Sequence, residues 1–192
     1  MIYIGHGHSA HDEKGNHMHY DCDLWGELHI EEGDEYTYCY SDGNVYTSDV
    51  KFGSGTSDLR WVWLYTCNFL HAKEDNGDKD GNPHNDNDFV SNADLAEMMN
   101  GAHLVMSHAS RATLCSAMVQ HFGAYLRAGM PIYEAYFKAG YTGEASVEGP
   151  NHYQKIMYIP QARYETIYSA SVQYEYDLSD VEIAKRCIRD PY

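Results

Sequence analysis

The feature that most constrains the fold is an almost uninterrupted apolar run from Leu59 to Tyr65, with the sequence LRWVWLY. An apolar run without polar alternation is typical of a strand buried on both faces, as the central strands of parallel sheets are. The run ends at Thr66-Cys67-Asn68. It therefore predicts a central parallel strand that delivers a cysteine to the edge of a sheet.

The other segments alternate between strand and helix patterns. Ile2 to Ile4 is predicted to be a short buried strand leading into a loop that is rich in histidine. Ser91 can cap a helix, because Asp94 follows three residues later and the apolar residues after it have helical spacing. The further predictions are a strand from Ala102 to Met106, a helix from Ala112 to Arg127, and a helix from Pro131 to Ala139 with Gly140 beyond its end. This order is the signature of an α/β fold.

Two segments are expected to lie outside the alternating core. Residues 34–52 alternate aromatic and β-branched side chains and predict a β-hairpin with its turn at Asp42-Gly43. Residues 73–88 are polar and predict a surface loop, in which NGDKDGN, residues 76–82, resembles the start of a calcium loop. The candidate calcium ligands are Asp78, Asp80 and Asn82. An EF-hand is not supported because Asn87 occupies the twelfth position, and a plain acidic loop is the alternative.

The C-terminal residues 150–192 are predicted to be a tyrosine-rich β extension of a single domain that spans residues 1–192. Tyr153 to Ile159 and Arg163 to Tyr176 alternate in the manner of antiparallel strands, and Val181 to Ile188 is predicted to be a short closing helix. The tyrosine side chains are candidates for a partner surface, although ordinary sheet packing accounts for the same pattern.

The charge balance restricts the partners. The chain has 13 basic and 29 acidic residues and a net charge of −16, which repels phosphate backbones and anionic membranes. We therefore expect no nucleic-acid or membrane partner. The five cysteines are scattered and form no CxxC pair, so neither a zinc ribbon nor a disulfide scaffold is indicated. The sequence given contains no signal peptide or membrane span, and an extracellular location would require a longer N-terminus.

Two predicted strand ends resemble those of a known family. Tyr3-Ile4-Gly5-His6-Gly7 resembles the strand ending in His-Gly in the caspase-like cysteine peptidases, which include caspases, legumains, gingipains, clostripain and separases. Residues 61–68 resemble the next strand of that fold, which ends at the nucleophilic cysteine. Residues 101–106 and 129–135 extend the likeness to a prokaryotic caspase-like domain family of unknown function. The likeness covers residues 2 to 145.

The resemblance implies a caspase-like, mainly parallel sheet flanked by helices, and a cysteine endopeptidase that acts on a peptide or protein without a required cofactor. A thiol of pKa near 8.5 needs an imidazole to become a good nucleophile at neutral pH. His6 is implied as this base and Cys67 as the nucleophile. Gly7 and Cys67 would donate backbone N–H groups to the oxyanion. The implied substrate-pocket residues are Ser107, His108 and Ser110.

Three alternatives stay open. Caspase-like folds have one or two βα units before the histidine strand, and the given sequence has none there. Either the sheet is short, or the native sequence extends upstream, or a partner such as a second copy completes the sheet. The fold could also serve as a non-catalytic assembly module, in which Cys67 is a buried apolar residue. Finally, residues 6–12, HGHSAHD, approximate the His-Xaa-His-Xaa-Asp-His signature of metallo-β-lactamase-like hydrolases. In this alternative His6, His8 and His11 would bind metal, although Ala10 stands where the signature has its aspartate.

Overall fold

The computed structural model of the chain describes residues 2–4, 6–8, 23–25, 28–32, 35–39, 51–52, 59–66, 69–70, 72, 75, 91–110, 112–113, 115–145, 152–169 and 174–191. For residues before 40 it describes the backbone of strands. The strands are β1 (Ile2–Ile4), β2 (His6–His8), β3 (Asp23–Trp25), β4 (Leu28–Glu32), β5 (Glu35–Cys39), β6 (Trp61–Tyr65), β7 (Leu104–His108), β8 (Tyr153–Tyr158) and β9 (Glu182–Cys187). The α-helices are α1 (Asn92–Glu97), α2 (Ser116–Arg127) and α3 (Ile132–Gly143).

A mixed sheet with the strand order β1-β6-β7-β8-β9 forms the centre of the fold. The pairs β1–β6 and β6–β7 are parallel, whereas β7–β8 and β8–β9 are antiparallel. The α/β class is therefore confirmed, with a sheet that is mixed rather than mainly parallel. Strand β6 is the strand predicted from the apolar run, and Val62 to Tyr65 are almost completely buried in it.

Local contacts determine where the three helices begin and end. Ser91 caps α1 in a capping box with Asp94, as the sequence predicts. Helix α2 begins at Ser116, four residues later than predicted, and the preceding Cys115 is extended, with φ −118° and ψ 109°. Helix α3 continues through Gly140 to Gly143 rather than ending at Ala139. Gly140 permits close packing on the sheet, because a Cβ there would overlap the side chain of Gln154.

The core lies where α2 and α3 cover the sheet. Trp63 packs edge-on against Phe122 of α2, with 4.7 Å between ring centroids, and against Tyr136 of α3 at 6.0 Å. All three side chains are at most 1% exposed. Burial of such aromatic side chains contributes on the order of 2–3 kcal/mol each. This packing holds β6 in the middle of the fold and determines where its carboxyl end emerges.

The N-terminal strands differ from the prediction in two places. His6 to His8 form the short strand β2, paired antiparallel with β3, where the sequence predicts a loop. Strands β4 and β5 pair antiparallel, which the sequence does not predict, and the predicted turn at Asp42-Gly43 stays a prediction. Residues 40–50 lie outside the described residues. Strand β5, which lies in the predicted first strand of the hairpin, is thus the second strand of a hairpin with β4.

The C-terminal extension contains one confirmed strand and two corrections. Strand β8 covers the predicted segment from Tyr153. The predicted strand from Arg163 to Tyr176 is wrong in its described part, because Pro160–Tyr164 forms a 3-10 helix and residues 174–177 lie outside the ladders. The predicted closing helix is strand β9, since pairing with β8 outweighs the helical pattern. Within the described residues, no helix is long and apolar enough to span a membrane.

Candidate functional site

The carboxyl ends of β1, β6 and β7 meet at one edge of the sheet, because the three strands are parallel. Ile4 at the end of β1 pairs with Tyr65 at the end of β6. In the sequence, His6 and Cys67 are each the second residue after these partners. Ligands in open α/β sheets bind outside the carboxyl ends of the strands. This edge is therefore the candidate site.

The structure describes only part of the predicted dyad. Cys67 lies outside the described residues, and for His6 the structure describes the backbone as part of β2. Gly7, the predicted oxyanion residue, is the middle residue of β2, opposite Leu24 of β3. The distance between the Cys67 sulfur and the His6 ring stays a prediction.

The three predicted pocket residues follow or end β7 and are all buried, with Ser107, His108 and Ser110 at most 1% exposed. The Ser107 hydroxyl donates to the carbonyl of Leu64 on β6, with 2.6 Å between the oxygens. Ser110 Oγ accepts a hydrogen bond from the Tyr153 backbone N–H at 2.8 Å. These hydroxyls thus tie the carboxyl end of β7 to its two neighbouring strands.

A buried polar cluster lies beneath the same edge, and the sequence analysis missed it. Glu144, the residue directly after α3, is fully buried and bonds two groups with its two carboxylate oxygens. Tyr65 donates its hydroxyl to Glu144 Oε1, and His108 Nε2 lies 3.1 Å from Glu144 Oε2. The Tyr65 and His108 rings also stack, with 5.3 Å between centroids. We call these three residues the Tyr65–Glu144–His108 cluster.

Tyr65 has further partners that fix the segment before α2. Its hydroxyl lies 2.9 Å from the Thr113 carbonyl oxygen and accepts a hydrogen bond from the Cys115 N–H at 3.0 Å. The free thiol of Cys115 in turn contacts the Gly143 carbonyl oxygen at 3.2 Å. These contacts hold Thr113 and Cys115 in place ahead of Ser116, where α2 begins. The carboxyl end of β6 is thereby fastened to both covering helices.

Burial controls the ionisation of the tyrosines in this region. Burial, followed by the negative charge of Glu144 and its hydrogen bond, raises the pKa of Tyr65 far above the ordinary value. Burial and the charge of Glu144 also raise the pKa of Tyr136, whose hydroxyl donates to the Ser107 carbonyl at 2.7 Å. Both phenols are therefore neutral donors at physiological pH, and neither serves as a base.

Two buried polar atoms at this edge have no hydrogen-bond partner among the described residues. They are Thr66 Oγ1, in the residue before Cys67, and Nδ1 of His108. A buried polar group without a partner is uncommon in proteins. These two atoms thus add hydrogen-bonding capacity to the part of the edge that the structure describes.

A second buried ionic group anchors the segment after Cys67. Lys155 of β8 is fully buried, and its ammonium lies 2.6 Å from Asp75 Oδ2 and 2.7 Å from the Asn92 side-chain oxygen. Lys185 of β9 lies 3.3 Å from the other oxygen of Asp75. The Ala72 N–H donates to the same carboxylate at 2.9 Å. Asp75 therefore holds the chain against the sheet at the point where the acidic loop begins.

The predicted calcium ligands cannot be located relative to this anchor, because Asp78, Asp80 and Asn82 lie outside the described residues. Across the ranges that the structure does describe, no three histidine, cysteine, aspartate or glutamate side chains are grouped as metal ligands would be. The calcium site stays a prediction from the loop sequence.

The tyrosines of the C-terminal extension have different environments. Tyr164 and Tyr168 are 73% and 67% exposed, next to Ile167 at 41%. Tyr176, in contrast, donates to the Ala102 carbonyl and accepts from the Gly101 N–H, both at 2.8 Å. Tyr176 thus has a structural role, while Tyr164 and Tyr168 present aromatic surface to solvent.

Comparison with known proteins finds one family. A family model described as "Domain of unknown function (DUF6345)" matches residues 1–158 of the chain. No curated protein and no solved structure matches the chain. The matched region extends from β1 to the end of β8, so it includes every predicted site residue.

Proposed function

The chain belongs to the DUF6345 family, and we propose that it is a caspase-like cysteine peptidase whose catalytic dyad is His6 and Cys67. The observation that carries the proposal is the parallel register of β1 and β6, in which Ile4 pairs with Tyr65. Each dyad residue follows one of these partners at the same distance along the sequence. Such a register favours an encounter between a histidine and a cysteine at one edge of the sheet.

The proposed reaction is the hydrolysis of a peptide bond. His6 takes the proton of the Cys67 thiol, and the thiolate attacks the carbonyl carbon of the scissile bond. The backbone N–H groups of Gly7 and Cys67 donate to the oxyanion of the tetrahedral intermediate. His6 then gives its proton to the leaving amine. Water, deprotonated by His6, hydrolyses the resulting thioester, which releases the acid product and restores the thiol.

The rigid end of β6 supports this proposal. A catalytic group needs a position fixed to within about 0.5 Å by its surroundings. Tyr65, two residues before Cys67, is held through its hydroxyl by Glu144 and by the segment at Thr113 and Cys115. Ser107 adds a hydrogen bond to the Leu64 carbonyl from the neighbouring strand. The residues that lead to the proposed nucleophile are thus fastened from two sides.

A non-catalytic assembly module is the second candidate function. The exposed side chains of Tyr164 and Tyr168 favour it, because exposed tyrosines are common in protein interfaces. A metal-dependent hydrolase is the third candidate. Its predicted metal ligands are His6, His8 and His11 in the segment HGHSAHD.

The test is the pH dependence of alkylation of each cysteine by iodoacetamide, followed by peptide mass spectrometry. A Cys67 paired with His6 should react with an apparent pKa of roughly 5–7.5, against about 8.5 for an ordinary thiol. His6→Ala should return the Cys67 value to about 8.5. The half-buried thiols of Cys115 and Cys187 are internal controls that should not respond to His6→Ala.

Two outcomes would contradict the peptidase proposal. An ordinary Cys67 pKa in the folded wild-type protein would leave the assembly module as the better account. Hydrolysis that persists in Cys67→Ala would exclude a cysteine nucleophile. Loss of that hydrolysis after treatment with a chelator would then favour the metal-dependent alternative, with His6, His8 and His11 as ligands.

A further inference from the structure

Strand β9 forms one side of the central sheet, because the strand order β1-β6-β7-β8-β9 ends with it. Among the residues that the structure describes, β9 pairs only with β8. A strand at the side of a sheet carries backbone N–H and C=O groups with which a further strand can pair. We propose that β9 binds an extended peptide as an added antiparallel strand, with one bulky apolar side chain of the peptide in the cavity between β9 and α3. We call this side of the sheet the β9 edge.

The register of β8 and β9 shows which backbone groups face the β9 edge. Just beyond the strands, the Ile188 N–H donates to the His152 carbonyl at 3.0 Å. Hydrogen-bonded and non-hydrogen-bonded pairs alternate along an antiparallel ladder. Counted back from Ile188, Ala184 is therefore a residue whose backbone bonds to β8. The backbone groups of its neighbours Ile183 and Lys185 point away from β8, toward the β9 edge.

The lysine on β9 does not block this edge. Exposed strand edges are often protected by a lysine, whose charge discourages further pairing. The Lys185 ammonium instead lies 3.3 Å from Asp75 Oδ1 and 4.4 Å from the centre of the Tyr153 ring. Its side chain is thus directed back over its own sheet. Ile183 and Lys185 both keep part of their surface exposed, so a peptide can reach their backbone groups.

A cavity of about 450 Å³ lies between β9 and α3, and its lining includes Tyr133, Phe137 and Ala184. The Tyr133 ring packs edge-on against Phe137 at 5.3 Å and against Tyr158 at 5.0 Å between centroids. Directly opposite residues of paired strands project to the same face. The peptide residue opposite Ala184 therefore projects toward this cavity. The small Ala184 side chain leaves room for a large one, and the aromatic rings give it an apolar surface to contact.

A second copy of the chain is a poorer occupant than a peptide. Two antiparallel β9 strands join their outward backbone groups when Ala184 lies opposite Ala184, and a methyl group cannot fill a cavity of about 450 Å³. The pairing centred on Lys185 places lysine opposite lysine, and like charges in this position are destabilising. Two copies, each with a net charge of −16, also repel each other. The β9 edge thus favours a peptide whose central residue is aromatic.

The experiment is a fluorescence anisotropy titration of the Cys67→Ala chain, which lacks the proposed nucleophile and so cannot cleave the probe by that route. The probe is a labelled and capped peptide of about seven residues, built from threonine and valine with phenylalanine at the centre. We expect it to bind at least about tenfold more tightly than the same peptide with alanine at the centre, because the phenylalanine side chain is buried in the cavity.

N-methylation of the probe tests the backbone hydrogen bonds. Methylation of the two residues that flank the phenylalanine should weaken binding by about tenfold or more, because their N–H groups donate to the carbonyls of Ile183 and Lys185. Methylation of the phenylalanine N–H is the matched control. This N–H points away from β9, so we expect the affinity to change by less than about threefold.

Ile183→Pro tests the same bonds from the side of the protein. The Ile183 N–H lies outside the ladder with β8, and proline is tolerated at such edge positions, so the circular dichroism spectrum should stay unaltered. We expect this variant to bind the probe at least about tenfold more weakly, because it loses one donor and the ring obstructs the added strand. The peptide comparisons decide the proposal even where this variant alters the fold.

Three results would overturn the proposal. They are equal affinity for the phenylalanine and alanine peptides, equal effects of the two N-methylation patterns, and a dimer in sedimentation that Ile183→Pro dissociates while the probe does not bind. The last result would assign the β9 edge to a second copy. Each of these results is independent of the peptidase proposal, because the titrated chain has no thiol at position 67.

Discussion

The hydroxyl of Tyr65 is the most informative single group to remove, because it joins the end of β6 to both covering helices. Tyr65→Phe deletes one oxygen and keeps the ring that stacks on His108 and on Trp63. The change leaves Glu144 Oε1 and the Cys115 N–H without the hydroxyl as partner. Its effect therefore measures the polar contacts of the cluster separately from the packing of the ring.

The expected magnitude can be worked out from these contacts. A hydrogen bond to a charged group contributes about 1.5–3 kcal/mol, and a neutral one about 0.5–1.5 kcal/mol. Tyr65 makes one bond of each kind, to the buried carboxylate of Glu144 and from the Cys115 N–H. Their loss should lower the free energy of unfolding by about 2–4 kcal/mol. For a chain of this size the melting temperature should fall by roughly 5–15 °C.

A double-mutant cycle with Glu144→Gln assigns the loss to the proposed pair. We expect the double variant to lose about 1–2 kcal/mol less than the sum of the single variants, because the two groups bond directly. The measurement is urea unfolding followed by circular dichroism, with equal m-values as the check for two-state behaviour.

Tyr168→Phe is the matched control for this experiment. Its hydroxyl donates to the Arg127 carbonyl at 3.1 Å, but the side chain is 67% exposed, so the change should cost less than about 0.5 kcal/mol. Two results would refute the reasoning. One is a loss in Tyr65→Phe no larger than that in Tyr168→Phe, and the other is strict additivity of Tyr65→Phe with Glu144→Gln.

Two further predictions concern buried ionisable groups. Asp75→Asn should destabilise the fold by about 3–5 kcal/mol, more than Lys155→Met. The reason is that Asp75→Asn removes the carboxylate that pairs with the fully buried Lys155 ammonium, whereas Lys155→Met leaves Asp75 paired with Lys185. Equal losses in urea unfolding would contradict this order. The raised pKa of Tyr136 means that its stabilising contribution is present below the ordinary value of about 10 and is lost as pH rises above it. Tyr136→Phe should therefore lower the free energy of unfolding by about 1 kcal/mol at pH 7, because it removes the hydrogen bond to the Ser107 carbonyl. Between about pH 10 and 12, the stability of this variant should depend less on pH than that of the wild type. An identical alkaline decline in both proteins would count against this account.

Local signals in the sequence predicted the elements that depend on local physics. The apolar run at Leu59 to Tyr65 predicted β6, because a short apolar run without polar alternation is typical of a strand buried on both faces. Ser91 with Asp94 predicted the beginning of α1, since a capping box is completed within one turn. Strand β8 was likewise found from its alternation. The α/β class followed from the order of these elements.

The errors lie where distant residues compete with local preference. Gly140 usually indicates a helix end, but α3 continues through it, because the absent side chain makes room for Gln154. Val181 to Ile188 has a helical pattern, yet six residues of it form β9, because their backbone groups pair with β8. The local sequence around Gly140 does not show that Gln154 packs against it, and the local sequence of β9 does not show that β8 is its partner. These choices are therefore beyond a local prediction.

The sequence by itself determined the α/β class, the buried strand β6, and the residue types that make His6 and Cys67 a candidate dyad. Only the tertiary structure decided that β1 pairs with β6 in parallel through Ile4 and Tyr65. It also decided that Glu144 joins Tyr65 and His108 beneath the same edge. The physical reason is that hydrophobic periodicity depends on residues that are neighbours in the sequence. The buried carboxylate of Glu144, in contrast, bonds to residues about 80 and 40 positions away in the chain, and only tertiary packing brings those residues together.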